Sequence, residues 1–180
     1  SGNYGSTGLS HTIETLSNHH ISSLTNYQTK IIPIQNIPIG FLALYDLEAP
    51  IDLRKTTSII QALTSQTSAI IVLVHWGNEY QLAASQRQQT LAKAIIQAGA
   101  SVILGSHPHV IQPIESTNTT LVAYSLGNFV FDQMWSIPTR QGLILDLNLH
   151  FTDLKLTRID PITYPFTIND YGQPRLHQRN

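Results

Sequence analysis

Two short stretches of this chain end in imidazoles. Residues 69–75, "AIIVLVH", close on His75, and residues 103–109, "ILGSHPH", close on His107 and His109. A neutral imidazole nitrogen is a good ligand for zinc, iron, nickel or copper, at about 2.0–2.1 Å for zinc. Pro108 is expected to hold His107 in an extended or polyproline conformation. Residues two apart in an extended segment point to one side, which puts both rings toward one point with Cα atoms roughly 6–7 Å apart. Gly105 lets the backbone turn closely at this place. Metal ligation by His75, His107 and His109 is therefore the chemistry these residues suggest. The other histidines carry no such pattern: His19 and His20 end a helix, where a cationic ring suits the dipole, and His11, His150 and His177 read as surface or tail residues.

Four further side chains are candidates for a supporting role. Glu79 and Asp132 could orient imidazoles from outside the ligand set. Trp76 either walls the pocket or packs in the core. Asn128, in "YSLGNFVFDQ", either donates a hydrogen bond into the site or closes a tight turn after Gly127.

Composition narrows the alternatives. The 180 residues are 42% hydrophobic and only 12% charged, with a formal net charge of -1. No basic face is implied, so nucleic acid is not an expected partner. The absence of cysteine rules out disulfides, thiolate nucleophiles and cysteine-based zinc sites. Ser125 lacks the Gly-x-Ser-x-Gly context of a nucleophile elbow, and there is no glycine-rich phosphate loop. No stretch approaches the roughly 18 apolar residues of a membrane span. The opening "SGNYGSTG" has neither an initiator Met nor a signal-peptide pattern, and the chain reads as a piece of a longer protein.

The elements that must position the histidines follow from periodicity. A helix is expected from Thr7 to about His19, with Leu9, Ile13 and Leu16 on one face. Two strands lie within residues 30–46, the first restricted to an edge by Pro33 and Pro38. Asp52 starts a second helix that ends near Gln66, with Leu53, Ile60 and Leu63 inward. The run 69–74 reads as a strand covered on both faces. Ser85 and Gln88 have capping-box spacing, Gly99 fits the position past the helix end, and Leu91, Ile95 and Ala98 form the apolar stripe between them. With 101–105 as the next strand, 69–105 is a βαβ unit with parallel strands. Ligands in open α/β sheets sit beyond the carboxyl ends of the strands, which is where all three histidines fall. Residues 110–115 and 120–125 are expected to pair, as are "GLILDLNLH" and 154–160. After Pro161 the chain reads as irregular, with a loosely docked tail at its end.

"VHWGNEY" (74–80), "ILGSHPHVIQPIE" (103–115) and "VAYSLGNFVFDQ" (122–133) together resemble the bacterial capsule-synthesis proteins of the CapA type, associated with poly-γ-glutamate. The likeness extends over residues 3–175. That family is similar to the calcineurin-like metallophosphoesterases. The resemblance implies an α/β (α+β) fold, a metallophosphoesterase-like two-sheet sandwich flanked by helices, with residues 1–165 forming part of the domain and 166–180 a tail. It also implies a two-metal centre, with His75 and His107 on one divalent ion and His109 on the other; manganese, iron and zinc are the candidate metals. The superfamily's acidic motifs and Asn-His pair should precede Ser1, so the N-terminal part of the fold is expected to be missing. The metal site in this chain is then incomplete and its ions weakly held. The implied activity, once the earlier motifs are supplied, is metal-dependent phosphoester hydrolysis in capsule biosynthesis. The implied partners are the preceding segment or parent protein and membrane proteins of capsule assembly, in an extracytoplasmic or membrane-associated setting. Two other readings stand beside it: a non-catalytic component of a capsule assembly, and a metal-binding module unrelated to capsule.

Overall fold

The apolar runs at 69–74 and 102–104 become the inner strands of a six-stranded sheet. The computed structural model describes residues 4–177. In chain order the elements are α1 (Gly5–Asn18), β1 (Thr29–Ile34), β2 (Ile37–Tyr45), α2 (Leu53–Thr64), β3 (Ala69–His75), α3 (Gln86–Gln97), β4 (Val102–Ser106), β5 (Ile114–Ser116), β6 (Leu121–Ala123), β7 (Gln141–Thr152), β8 (Lys155–Asn169) and β9 (Gln173–Leu176). The first sheet has the order β1-β2-β3-β4-β6-β5, and β7-β8-β9 form a second, antiparallel sheet. Strands β2, β3, β4 and β6 run parallel, so their carboxyl ends gather at one edge. Only the end strands β1 and β5 run against them.

Local sequence explains most of these elements. Gln35 and Asn36 both have positive φ, 50° and 66°, as a two-residue hairpin turn requires. β1 lies at the sheet edge, where its Pro33 removes no interior hydrogen bond. Asp52 caps α2 by accepting from the Lys55 N–H at 3.1 Å. Both halves of the Ser85/Gln88 capping box are formed at α3.

The sheet separates two apolar layers. Ile70, Val72 and Val74 of β3 pack with Ile60, Leu63, Leu91 and Ile95 of the helices. Ala69, Val102, Leu121 and Ala123 face the second sheet, meeting Leu156, Ile159 and the inward row Leu145, Leu147 and Leu149. Each fully buried side chain of this size contributes roughly 1.5–3 kcal/mol. The expectation that β3 is covered on both faces holds except at Leu73, which is 40% exposed near the carboxyl edge.

Three sequence expectations are corrected. Helix α1 starts at Gly5 with no side-chain cap, so Thr7 is not its N-cap, and none of its residues is buried. Leu9 and Ile13 remain exposed because nothing among the described residues covers that face. Leu53 of α2 is likewise more than a third exposed. The chain after Pro161 is regular: β8 continues to Asn169 and β9 pairs with it through Phe166–Asn169, so residues 166–176 are not a tail. Pro161 and Pro165 are tolerated in β8 because β9 begins pairing only at Phe166. Before that point β8 has β7 on one side and an open edge on the other, where a missing N–H costs nothing.

Candidate metal centre

The parallel register sets the first part of the site. Tyr45, His75 and Ser106 lie side by side at the ends of β2, β3 and β4. The Tyr45 ring stacks on His75, with centroids 5.5 Å apart and planes 9° from parallel. On the other side, His75 Nδ1 lies 3.0 Å from Ser106 Oγ, which is 3.4 Å from the Val74 carbonyl. A chain from imidazole N–H to hydroxyl to carbonyl fits both distances and leaves His75 Nε2 bare. Burial, and then the neighbouring His107, push His75 down to about 4, and burial also lowers His107. Both rings are therefore neutral at pH 7, the form that ligates metal.

The loops beyond β3 and β4 are laced together. The Trp76 N–H donates to the Ser106 carbonyl at 3.0 Å, and the Tyr80 N–H donates to the Pro108 carbonyl at 2.8 Å. These bonds bend the "HPH" segment away from the expected extended form. His107 has φ 101° and His109 φ 59°, with Tyr80 at 62°. Non-glycine residues at positive φ are uncommon, persist only where the surroundings over-determine them, and concentrate at functional sites. The imidazoles still converge: ring centroids are 4.9 Å apart for His75–His107 and 5.9 Å for His107–His109.

A buried glutamine pair supports the loop that carries Glu79. Gln88 Oε1 accepts from the Ser85 N–H at 2.9 Å, and its Nε2 donates to Gln112 Oε1 at 2.8 Å. Gln112 Nε2 then donates to the Gln81 carbonyl at 2.8 Å and the Ala83 carbonyl at 3.2 Å. Asp46, at the end of β2, is committed elsewhere: it accepts from the Ile51 N–H at 2.8 Å and from Arg87 Nε at 2.7 Å.

The supporting residues fall differently from the sequence expectation. Trp76 is fully buried and packs in the helix-side core, so it does not wall the site. Asp132 is exposed on its loop and orients no imidazole. That task falls to Asn128. Its Nδ2 donates to the Thr139 carbonyl at 2.9 Å and to Gln133 Oε1 at 3.0 Å. A carbonyl can only accept, so the amide is oriented with Oδ1 toward His109 Nδ1, 2.7 Å away. His109 Nδ1 must then carry the proton, and Nε2 presents its lone pair. Asn128 thus accepts from the site instead of donating into it. Gly142 leaves room for this residue's backbone: a Cβ there would lie 2.3 Å from the Asn128 main-chain carbonyl oxygen and 2.2 Å from Phe166 Cζ.

Glu79 lies on the lone-pair side of His109, with its Oε1 4.0 Å from Nε2. Ligand atoms of Glu79, His107 and His109 all fall within 4.8 Å of one another. Glu79 is therefore placed to join a ligand set, not to orient a ring from behind. A carboxylate with two imidazoles whose free nitrogens face inward is the donor chemistry of a divalent-metal site. His75 touches His107 but stands outside this tight trio. Sequence reasoning did not find Tyr45, Ser106, Tyr80, Gln112, Gln133 or Thr139, and it found Gln88 only as a helix cap. Tyr45 and Ser106 are placed by their register on either side of His75.

Replacing Asn128 by leucine frees the His109 ring and its tautomer. Mn²⁺ affinity is expected to fall about 10- to 100-fold, measured by calorimetric titration, with the fold intact by circular dichroism.

A family model described as "Bacterial capsule synthesis protein PGA_cap" matches residues 1–133. The chain is 39% identical over 113 residues to the PGA biosynthesis protein CapA of Bacillus subtilis, covering 63% of this chain and 30% of that protein. It is 40% identical over 106 residues to the capsule biosynthesis protein CapA of Bacillus anthracis, covering 59% and 24% respectively. The match thus spans less than a third of either relative. Among solved structures, a hypothetical protein from Thermus thermophilus aligns with TM-score 0.53 at 14% identity, covering 76% of this chain and 61% of that one. A Staphylococcus aureus protein described provisionally as a 5'-nucleotidase aligns with TM-score 0.54 at 13% identity, covering 83% and 31%. These neighbours share a metallophosphoesterase-like α/β fold with the chain. No helix among the described residues is long and apolar enough to cross a membrane.

Proposed function

Because this chain belongs to the bacterial capsule synthesis protein PGA_cap family, we propose that its histidine cluster is a divalent-metal centre for phosphoester-type hydrolysis in capsule, poly-γ-glutamate, biosynthesis. The observation that carries the reading is the convergence of Glu79, His107 and His109 with the His109 tautomer fixed by Asn128. Glu79, His107 and His109 would hold the ion, with His75 beside them; manganese, iron and zinc all suit this oxygen and nitrogen set. A bound divalent cation supplies Lewis-acid polarisation of a phosphoryl oxygen and lowers the pKa of water. The chain's own part is to present oriented imidazoles at and just beyond the strand ends and to keep the donors fixed through the Asn128 and glutamine networks. The working partners on this reading are the segment or parent protein that completes the ligand set and membrane proteins of capsule assembly. The setting is extracytoplasmic or membrane-associated.

One observation favours a second reading, a non-catalytic component of the capsule assembly. Two cations about 3.5–4 Å apart need anionic ligands between them. Glu79 is nearly half exposed, and Asp46 and Asp132 do not enter the site. The test is Mn²⁺-dependent hydrolysis of 4-nitrophenyl phosphate by the longer protein that carries this chain and completes the ligand set. Turnover that disappears with EDTA and in His107→Ala supports the enzymatic reading. Bound Mn²⁺ without turnover supports the second, and failure to bind Mn²⁺ overturns the metal centre itself.

A further inference from the structure

The candidate centre has an apolar lip. The Phe131 ring lies 5.0 Å from the His109 ring, and the Tyr80 ring lies 6.1 Å from it on a second contact. Trp135 extends this wall, meeting Tyr80 edge-on at 5.7 Å and 78°. These residues pack on one another and still face solvent: Tyr80 is 42% exposed, Phe131 40% and Trp135 65%, with Ile137 beside them in sequence at 64%. The chain has the means to bury aromatics, since Trp76, Tyr124 and Phe166 are each at most 3% exposed. Exposed apolar groups gathered at a site are characteristic of ligand contact.

Two further observations narrow the ligand. The lip is braced: Gln133 Nε2 donates to the Tyr80 hydroxyl at 3.1 Å, and the Thr139 hydroxyl donates to the Gln133 carbonyl at 2.9 Å. The loop segments that carry it hold no cation: from Val122 to Thr139 the sole charged residue is Asp132, and from Trp76 to Gln86 it is Glu79, while Arg87 just beyond is paired with Asp46. A surface meant for a polyanion or an anionic membrane would carry Lys or Arg.

We infer that Tyr80, Phe131 and Trp135 form a specificity subsite for the ester group of the substrate, selecting phosphoesters whose alcohol side is apolar and flat. This rests on the metal-centre reading. A phosphate held at the Glu79/His107/His109 group would project its ester group over the rings that border His109.

The test is calorimetric titration of the Mn²⁺-loaded chain with inorganic phosphate, phenyl phosphate and glycerol 1-phosphate. The wild type should bind phenyl phosphate about tenfold more tightly than glycerol 1-phosphate. Trp135→Ala should reduce that preference roughly three- to tenfold, the range of an aromatic contact. Inorganic phosphate affinity should not change, and Trp135→Phe should retain most of the preference. Trp135 is exposed, so its replacement leaves the core intact. Mn²⁺ and inorganic phosphate bound without an ester preference, or an equal preference in Trp135→Ala, would sink the subsite alone. Failure of Mn²⁺ to bind would remove the metal centre and the subsite with it.

Discussion

A chain carrying His107→Ala is expected to bind Mn²⁺ on the order of a hundredfold more weakly than the wild type. The trio of Glu79, His107 and His109 is the tight donor group among the described residues. Structural zinc in four-ligand zinc-finger sites reaches apparent energies of about 10–16 kcal/mol; on that scale one ligand accounts for about 3 kcal/mol, or roughly two decades. His107 sits between the other two imidazoles, so its loss also separates His75 from His109. His75→Ala, by contrast, leaves the trio whole and should cost about tenfold or less. Equilibrium dialysis with metal analysis reads both. Unchanged affinity in both variants refutes the ligand assignment, and a larger loss in His75→Ala moves the principal ion to the His75 side.

Gly105→Ala should destabilise the fold by about 3 kcal/mol, the upper end for forcing an extra atom into a packed interior. A Cβ at Gly105 would lie 2.0 Å from the Tyr124 carbonyl oxygen and 2.4 Å from Trp76 Nε1. Neither neighbour is free to move. The Trp76 indole N–H donates to that same carbonyl at 2.9 Å, and both side chains are buried. Strand β4 cannot retreat either, because Val74 pairs with Gly105 on one side and β6 pairs with the strand on the other. At roughly 2–4 °C per kcal/mol for a domain of this size, the melting temperature should drop about 6–12 °C. A drop under 2 °C would mean that the Trp76–Tyr124 contact yields cheaply.

Why the histidines meet was legible from residue types alone. The apolar runs 69–74 and 101–105 read as buried parallel strands with the histidines just beyond them, and parallel strands deliver their ends to one edge. The Ser85/Gln88 cap and the alternating leucines of β7 were legible for the same reason, since each depends on spacing within one element. What escaped was set by distant partners. The positive φ of His107 and His109 comes with hydrogen bonds from loops some thirty residues earlier in the chain. The orientation of Asn128 is fixed by the Thr139 carbonyl, whose position depends on a turn that no periodicity marks. Trp76 beside His75 was ambiguous because a strand end can send a large side chain to either layer; the Tyr124 carbonyl decides it. The last strands were hidden by prolines, which argue against a strand unless the open edge is known.

The pair of backbone hydrogen bonds that joins the loop after β3 to the loop after β4 has a consequence for how the donors come and go. Opening either loop breaks bonds that shape the other, so the two form one cooperative opening unit and Glu79, His107 and His109 are gathered or scattered together. Apparent metal affinity is then the intrinsic affinity scaled by the closed fraction of that unit. Substitutions that merely loosen these loops, far from any ligand atom, weaken binding by lowering that fraction.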